Sequence, residues 1–222
     1  MKYFIDTEFI EGFHKPLFGK KRHFIDLISI GIVCEDGREM YAISTEFDEK
    51  DADTWVKTNV ISQLPNRRVS QFDSPSAKEE ARRYKSNEQI KNDIIGFTYP
   101  PSISFDGVKA WFPDDREDIE FYGYYADYDW VVFCSLFGRM IDLPKSFPMY
   151  CRDIKQMVDE KYNTWLRTSP VIDRARGANI TLETYKNLMT RDEKYPHQTD
   201  EHNALADARW NRDFYNFLMT YK

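Results

Sequence analysis

The stretch Tyr3-Phe4-Ile5-Asp6-Thr7-Glu8-Phe9 constrains this chain more than any other. Three large apolar residues in a row, followed by two acids one residue apart, describe a strand buried on both faces with a charged end. Side chains two apart in a strand share a face, so Asp6 and Glu8 project together from the end of a central strand. Like charges held that close resist ionising unless something positive neutralises them. Carboxylate oxygens suit hard divalent cations. An Asp-x-Glu pair alone also describes an ordinary solvated strand end, so the other residues must decide.

Their order predicts a mixed α/β sheet with helices on its faces. After Phe9 the composition reads as a loop over 10–22, carrying Lys20-Lys21-Arg22. Residues 24–34 read as a second buried strand, Asp36-Gly37 as a tight turn, and 39–44 as a third strand. A short helix is expected over 53–61 with Trp55, Val56, Val60 and Ile61 buried. A second helix is expected to start at Ser74-Pro75-Ser76, with Ser76 and Glu79 as a capping box. Strands follow at 119–126 and 147–152, with helices at 127–140, 153–162 and 181–189. A basic connection spans 164–178, and a last helix spans 203–221.

One segment stands apart. Residues 100–117 read as an insertion containing a hairpin about Asp106-Gly107, with Ile103, Phe105, Val108 and Ala110 on one face. That apolar face must pack on the chain's own body, on substrate or on a second copy, and the last would make a homodimer. Otherwise the 222 residues fit a single domain, 1–222.

Bulk properties exclude several classes. No run approaches the ~20 apolar residues of a membrane-spanning helix, and no leader is visible, which predicts a cytoplasmic protein with no membrane partner. Three scattered cysteines and four dispersed histidines argue against a disulfide framework and a zinc knuckle. A formal net charge of −6 argues against wrapping a duplex, but not against gripping one strand end.

The remaining acids then matter. Asp129 shares a helix row with Phe133 and Leu136 and so points inward. Asp127 competes with it, as the helix cap or as the functional acid. In His202-Asn203-Ala204-Leu205-Ala206-Asp207-Ala208, His202 and Asp207 are too far apart in phase to share a face of a regular helix. His202 therefore belongs to the segment entering the helix and Asp207 to its rigid part. Small Ala204 and Ala208 let that helix approach the sheet.

Asp6-Thr7-Glu8, then Tyr128-Asp129 near a helix start, then His202-x-Ala204-x-x-Asp207 in a C-terminal helix resembles the DnaQ-like (DEDDh) 3′–5′ exonucleases over essentially the whole chain. The start Asp6-Thr7-Glu8-Phe9 and the segment 202–209 look like a bacterial and phage branch of small 3′–5′ exoribonucleases. The resemblance implies an RNase H-like fold. It implies two Mg²⁺ ions, replaceable by Mn²⁺, held by Asp6, Glu8, Asp129 and Asp207, with His202 as general base. It also implies nucleoside monophosphates released from the 3′ end of single-stranded RNA or a 3′ overhang. Tyr124 and Tyr125 stand where that family often has Asn, which keeps Asp127 in play.

Substrate-binding candidates are Thr7 between the acids, Phe9 against the terminal base, and Lys20, Lys21 and Arg22 on phosphate. Phe9 is also a natural core residue, and the three cations also suit a solvated loop. The alternatives are a DNA exonuclease with the same chemistry and an inactive nucleic-acid-binding module.

Overall fold

The first strand, β1 (Lys2–His14), is the axis of the fold. It pairs antiparallel with β2 (Arg22–Cys34), which pairs antiparallel with β3 (Glu39–Ser44). On its other side it pairs in parallel with β5 (Glu120–Gly123), followed by the two-residue β6 (Arg152–Asp153). A short strand β4 (Tyr84–Lys85) adds in parallel to β3, giving the order β4-β3-β2-β1-β5-β6. The computed structural model describes residues 1–14, 18–70, 72–98, 119–168 and 181–221. The expected insertion at 100–117 and residues 169–178 of the expected basic connection lie outside the described residues.

Helices cover both faces. The odd-numbered face of β1 places Tyr3 and Ile5 in a core with Ile90 and Ile94 of α3 (Asn87–Thr98) and Phe133 of α4 (Asp127–Ser135). The even-numbered face places Phe4 against Ile154 and Val158 of α5 (Ile154–Thr168). Tyr185 of α6 (Leu182–Met189) and Phe214 and Leu218 of α7 (Ala204–Thr220) complete this second core. This is the mixed, helix-flanked α/β sheet expected of an RNase H-like fold.

Several elements differ from expectation. The loop expected from residue 10 is instead a long arm, because β1 and β2 stay paired to His14↔Arg22. Cross-strand contacts sustain it: His14 stacks on Phe24, and Phe13 meets His23 edge-on. A Cβ at Gly12 would fall 2.7 Å from the Phe24 ring, so glycine there makes room for that ring.

Helix α1 (Thr54–Asn59) is capped by Asp53, which accepts from the Val56 N–H at 2.8 Å. Val60 is buried as expected, but Trp55 is 53% exposed, because it turns toward His202 rather than the core. Helix α2 (Pro75–Ala81) is capped by Ser74, one turn-defining residue before Pro75, and not by Ser76. The strand expected at 147–152 shrinks to β6, because only Arg152 and Asp153 pair with β5, while Phe147 packs into the core. Helix α4 stops at Ser135, short of 140, and α5 runs to Thr168, through the first part of the expected connection.

Candidate active site

The site gathers where β1 leaves the body of the sheet. Asp6 and Glu8 share the even-numbered face of β1, and α7 lies across that face. The contact is close because Gly31 of β2 pairs directly with Asp6. A Cβ on Gly31 would sit 2.2 Å from the Ala204 carbonyl oxygen and 2.5 Å from the Leu205 Cα. Ala204 and Ala208 are fully buried at this crossing, as their small size suggested. With the backbones this near, carboxylate oxygens of Asp6, Glu8 and Asp207 all lie within 4.8 Å of one another.

Asp129 joins from the other side. Its carboxylate accepts from the Thr7 N–H at 2.8 Å and the Thr7 hydroxyl at 2.7 Å. Asp129 is buried in the first turn of α4, whereas Asp127 is exposed and lies outside the cleft. The N-cap of α4 is Ala126, so Asp127 is not the cap either. A cleft of about 380 Å³ brings Asp6, Glu8, Asp129, Asp207 and His202 together, with Thr7 and Phe9 on its wall. Lys20, Lys21 and Arg22 are exposed and do not line it. Phe9 is half in the core and half in the cleft, its ring stacked on Tyr128 with centroids 5.8 Å apart.

The entry to α7 is shaped around Asp207. Asn203 caps the helix by accepting from the Leu205 and Ala206 N–H groups, both at 3.2 Å. His202 precedes the cap with φ +67°, a strained conformation for a side-chain-bearing residue. That turn aims its N–H at Asp207 over 2.9 Å and lays its ring edge-on against Trp55, with centroids 4.8 Å apart.

Sequence reasoning missed Gln198, which donates to Asp207 at 2.5 Å from an irregular loop that carries no periodic signal. It also missed Asn211, buried one turn after Asp207, whose side-chain amide donates to the Ile5 carbonyl at 2.9 Å. A polar residue four positions from Asp207 on the apolar face of α7 was the available signal.

Burial dominates the electrostatics. It raises Asp6 well above the usual carboxylate range, with Asp129, Asp207 and Glu8 adding repulsion. Glu8 is pushed up to about 8 by burial, then by Asp207 and Asp129. Asp129 rises to about 6 through burial, held down by the two Thr7 hydrogen bonds. Asp207 is raised by burial against the opposing bonds from Gln198 and His202. Such a cluster favours a bound cation strongly, and its all-oxygen donor set suits a hard divalent ion.

Acids converging from the first strand, from a helix after the parallel strand and from the last helix, with a histidine just before that helix, define the DEDDh class of RNase H-like 3′–5′ exonucleases. The comparison with known proteins agrees. Residues 1–219 match the 3′-5′ exoribonuclease Rv2179c-like domain, and the chain belongs to that family. It is thus a 3′–5′ exoribonuclease, a hydrolase.

Two similar proteins come from Mycobacterium tuberculosis. They are the 3′-5′ exoribonuclease Rv2179c of strain ATCC 25618 / H37Rv and the 3′-5′ exoribonuclease MT2234.1 of strain CDC 1551 / Oshkosh. Each is 37% identical to this chain over 161 residues, covering 72% of this chain and 76% of the relative.

Proposed function

We propose that the protein removes nucleotides one at a time from the 3′ end of single-stranded RNA or a 3′ overhang, releasing nucleoside monophosphates. The observation that carries this reading is the cluster of Asp6, Glu8 and Asp207 within 4.8 Å, in surroundings that penalise their charge. In this reading Asp6, Glu8, Asp129 and Asp207 hold two divalent ions, Mg²⁺ or in its place Mn²⁺. When bound, such a pair neutralises charge on the attacking and leaving oxygens of an in-line displacement.

The protein's own groups do the rest. His202, at the cleft wall and on the strained entry to α7, accepts the proton of the attacking water as neutral imidazole. Its backbone N–H and Gln198 keep Asp207 oriented, and Thr7 does the same for Asp129. With its hydroxyl donated to Asp129, Thr7 serves the substrate through that acid. Phe9, stacked on Tyr128, offers a ring to the terminal base.

Cys34 and Cys134 are buried and free, and Cys151 is free as well, which supports a reducing compartment, the cytoplasm. No helix among the described residues is long and apolar enough to cross a membrane. A homodimer formed through the 100–117 segment stays part of the proposal, and sedimentation of full-length protein against a chain lacking that segment tests it.

The functional test compares RNA and DNA oligomers of one sequence, each labelled at the 5′ end, with Mg²⁺ and with chelator. The expected result is a ladder shortening from the 3′ end of RNA, mononucleotide products, and no reaction in chelator or in Asp6→Asn. Full activity in chelator, or faster degradation of DNA, refutes the assignment.

A further inference from the structure

The β1–β2 arm extends beyond the cleft, and one of its faces continues the cleft wall. Thr7, Phe9 and Glu11 alternate along β1 on a common face. Thr7 bonds Asp129, Phe9 stacks on Tyr128, and Glu11 lines the cleft. Phe13 is next on that face, about 13 Å beyond Phe9 along the strand.

On β2 the alternation is broken once. Glu8 pairs with Ser29 and Phe9 with Leu27, so Ile28 is the extra residue of a bulge. A bulge re-aims the side chains that follow it. Here it puts His23 opposite Phe13, on the cleft's face, where an unbroken ladder would have turned it away. His23 Nε2 lies 2.8 Å from the Glu11 carboxylate, and its ring meets Phe13 edge-on at 5.2 Å. Lys21 places its Nζ 3.6 Å from the centroid of the Phe13 ring. Yet Phe13 is 52% exposed. Arg22 pairs with His14 on the opposite face.

We propose that this face of the arm, Phe13 with Lys21 and His23, is a second binding segment for the RNA strand, holding nucleotides on the 5′ side of the one being removed. The inference rests on the exoribonuclease reading above. An exposed ring with a cation over it supplies what a single strand asks for, a stacking surface for a base and a positive charge for phosphate. Formal net charge is −6, so a polyanion needs such a local cation to be held here. Glu11 is close, but its carboxylate is engaged by His23 Nε2 at 2.8 Å. A ring this exposed could also meet a second copy of the chain, and the test separates the two occupants.

The test compares a dinucleotide with an RNA of about ten nucleotides, a length within the usual span of single-strand sites. The variants are Phe13→Ala and Lys21→Glu, alone and combined. For the longer RNA, KM should rise roughly 5- to 150-fold in the double variant, the effect of losing one stacked base, with kcat unchanged. Hydrolysis of the dinucleotide, too short to reach Phe13, should stay at the wild-type rate. Binding of the longer RNA to metal-free protein should lose about 0.7 from its logarithmic salt slope in Lys21→Glu. Equal losses on both RNAs, no loss on either, or a change in sedimentation in place of a change in KM would overturn the proposal. If wild type cleaves the dinucleotide while the arm variants match it on the longer RNA, the arm fails and the enzyme reading stands. If wild type cleaves neither, both fall.

Discussion

Replacing Gly31 with alanine adds one methyl group at the tightest backbone approach among the described glycines. The new Cβ would meet the Ala204 oxygen at 2.2 Å, the Ala204 carbonyl carbon at 2.4 Å and the Leu205 Cα at 2.5 Å, against 3.4–4 Å for ordinary contact. All three are backbone atoms, so no side chain can rotate away. The start of α7 must retreat from β2 by roughly 1 Å, and Asp207, three residues on, retreats from Asp6 and Glu8 with it. A displacement of about 1 Å at a reacting centre can cost about 10²-fold in rate. Overpacking of this kind costs about 1–3 kcal/mol, which for a chain of this size lowers Tm by roughly 2–12 °C. Exonuclease assays at saturating Mg²⁺ and thermal unfolding measure the two effects. The rate should fall further than the Tm loss explains at the assay temperature, because the variant is still folded there. A Gly31→Ala protein with wild-type rate and Tm would refute the claim that this contact sets the acidic cluster.

Two further outcomes follow from the same geometry. Glu8 has a folded pKa of about 8 against an ordinary 4.5, so folding binds its proton more tightly than the unfolded chain does. Its contribution is intact below about pH 4.5 and is lost as pH rises through about 8. Metal-free protein should therefore lose Tm across that window, and the Tm gained on adding Mg²⁺ should grow across it; a gain independent of pH would contradict this. His202→Ala should lower turnover by about 10²–10⁴-fold, with metal affinity little changed. Asp207→Asn should instead lose metal binding, and equal metal titrations for the two variants would contradict the division of roles.

The strand period and the apolar run made Asp6 and Glu8 legible, and small Ala204 and Ala208 made the helix approach legible. What the sequence hid were features set by pairing partners far along the chain. The bulge at Ile28 leaves no mark in composition, because Leu27 and Ile28 are both ordinary apolar strand residues. Nothing local turns Trp55 outward; a β-carbon pattern that suits burial is overridden by the ring of His202, 147 residues further on. Gln198 reaches Asp207 from a loop whose path only the folded chain defines. Gly31, the residue that permits the site, reads in isolation as a flaw in a good strand.

The acids are not equally placed to bear their charge. Asp129 and Asp207 each sit in the first turn of a helix, where the helix dipole favours a negative charge. Each also receives two hydrogen bonds, from Thr7 in one case and from Gln198 and His202 in the other. Asp6 and Glu8 stand on a strand rather than in a helix. Asp6 is raised well above its ordinary value, and Glu8 reaches about 8 where Asp129 reaches about 6. Neighbouring N–H and O–H donors thus stabilise one pair of carboxylates and leave the other pair to a cation. A divalent ion entering the cleft should accordingly displace protons chiefly from Asp6 and Glu8. Proton release on Mg²⁺ binding, followed near neutral pH in weakly buffered solution, should fall sharply in Glu8→Gln and much less in Asp129→Asn. Equal release from both variants would place the burden evenly and contradict the division between strand and helix acids.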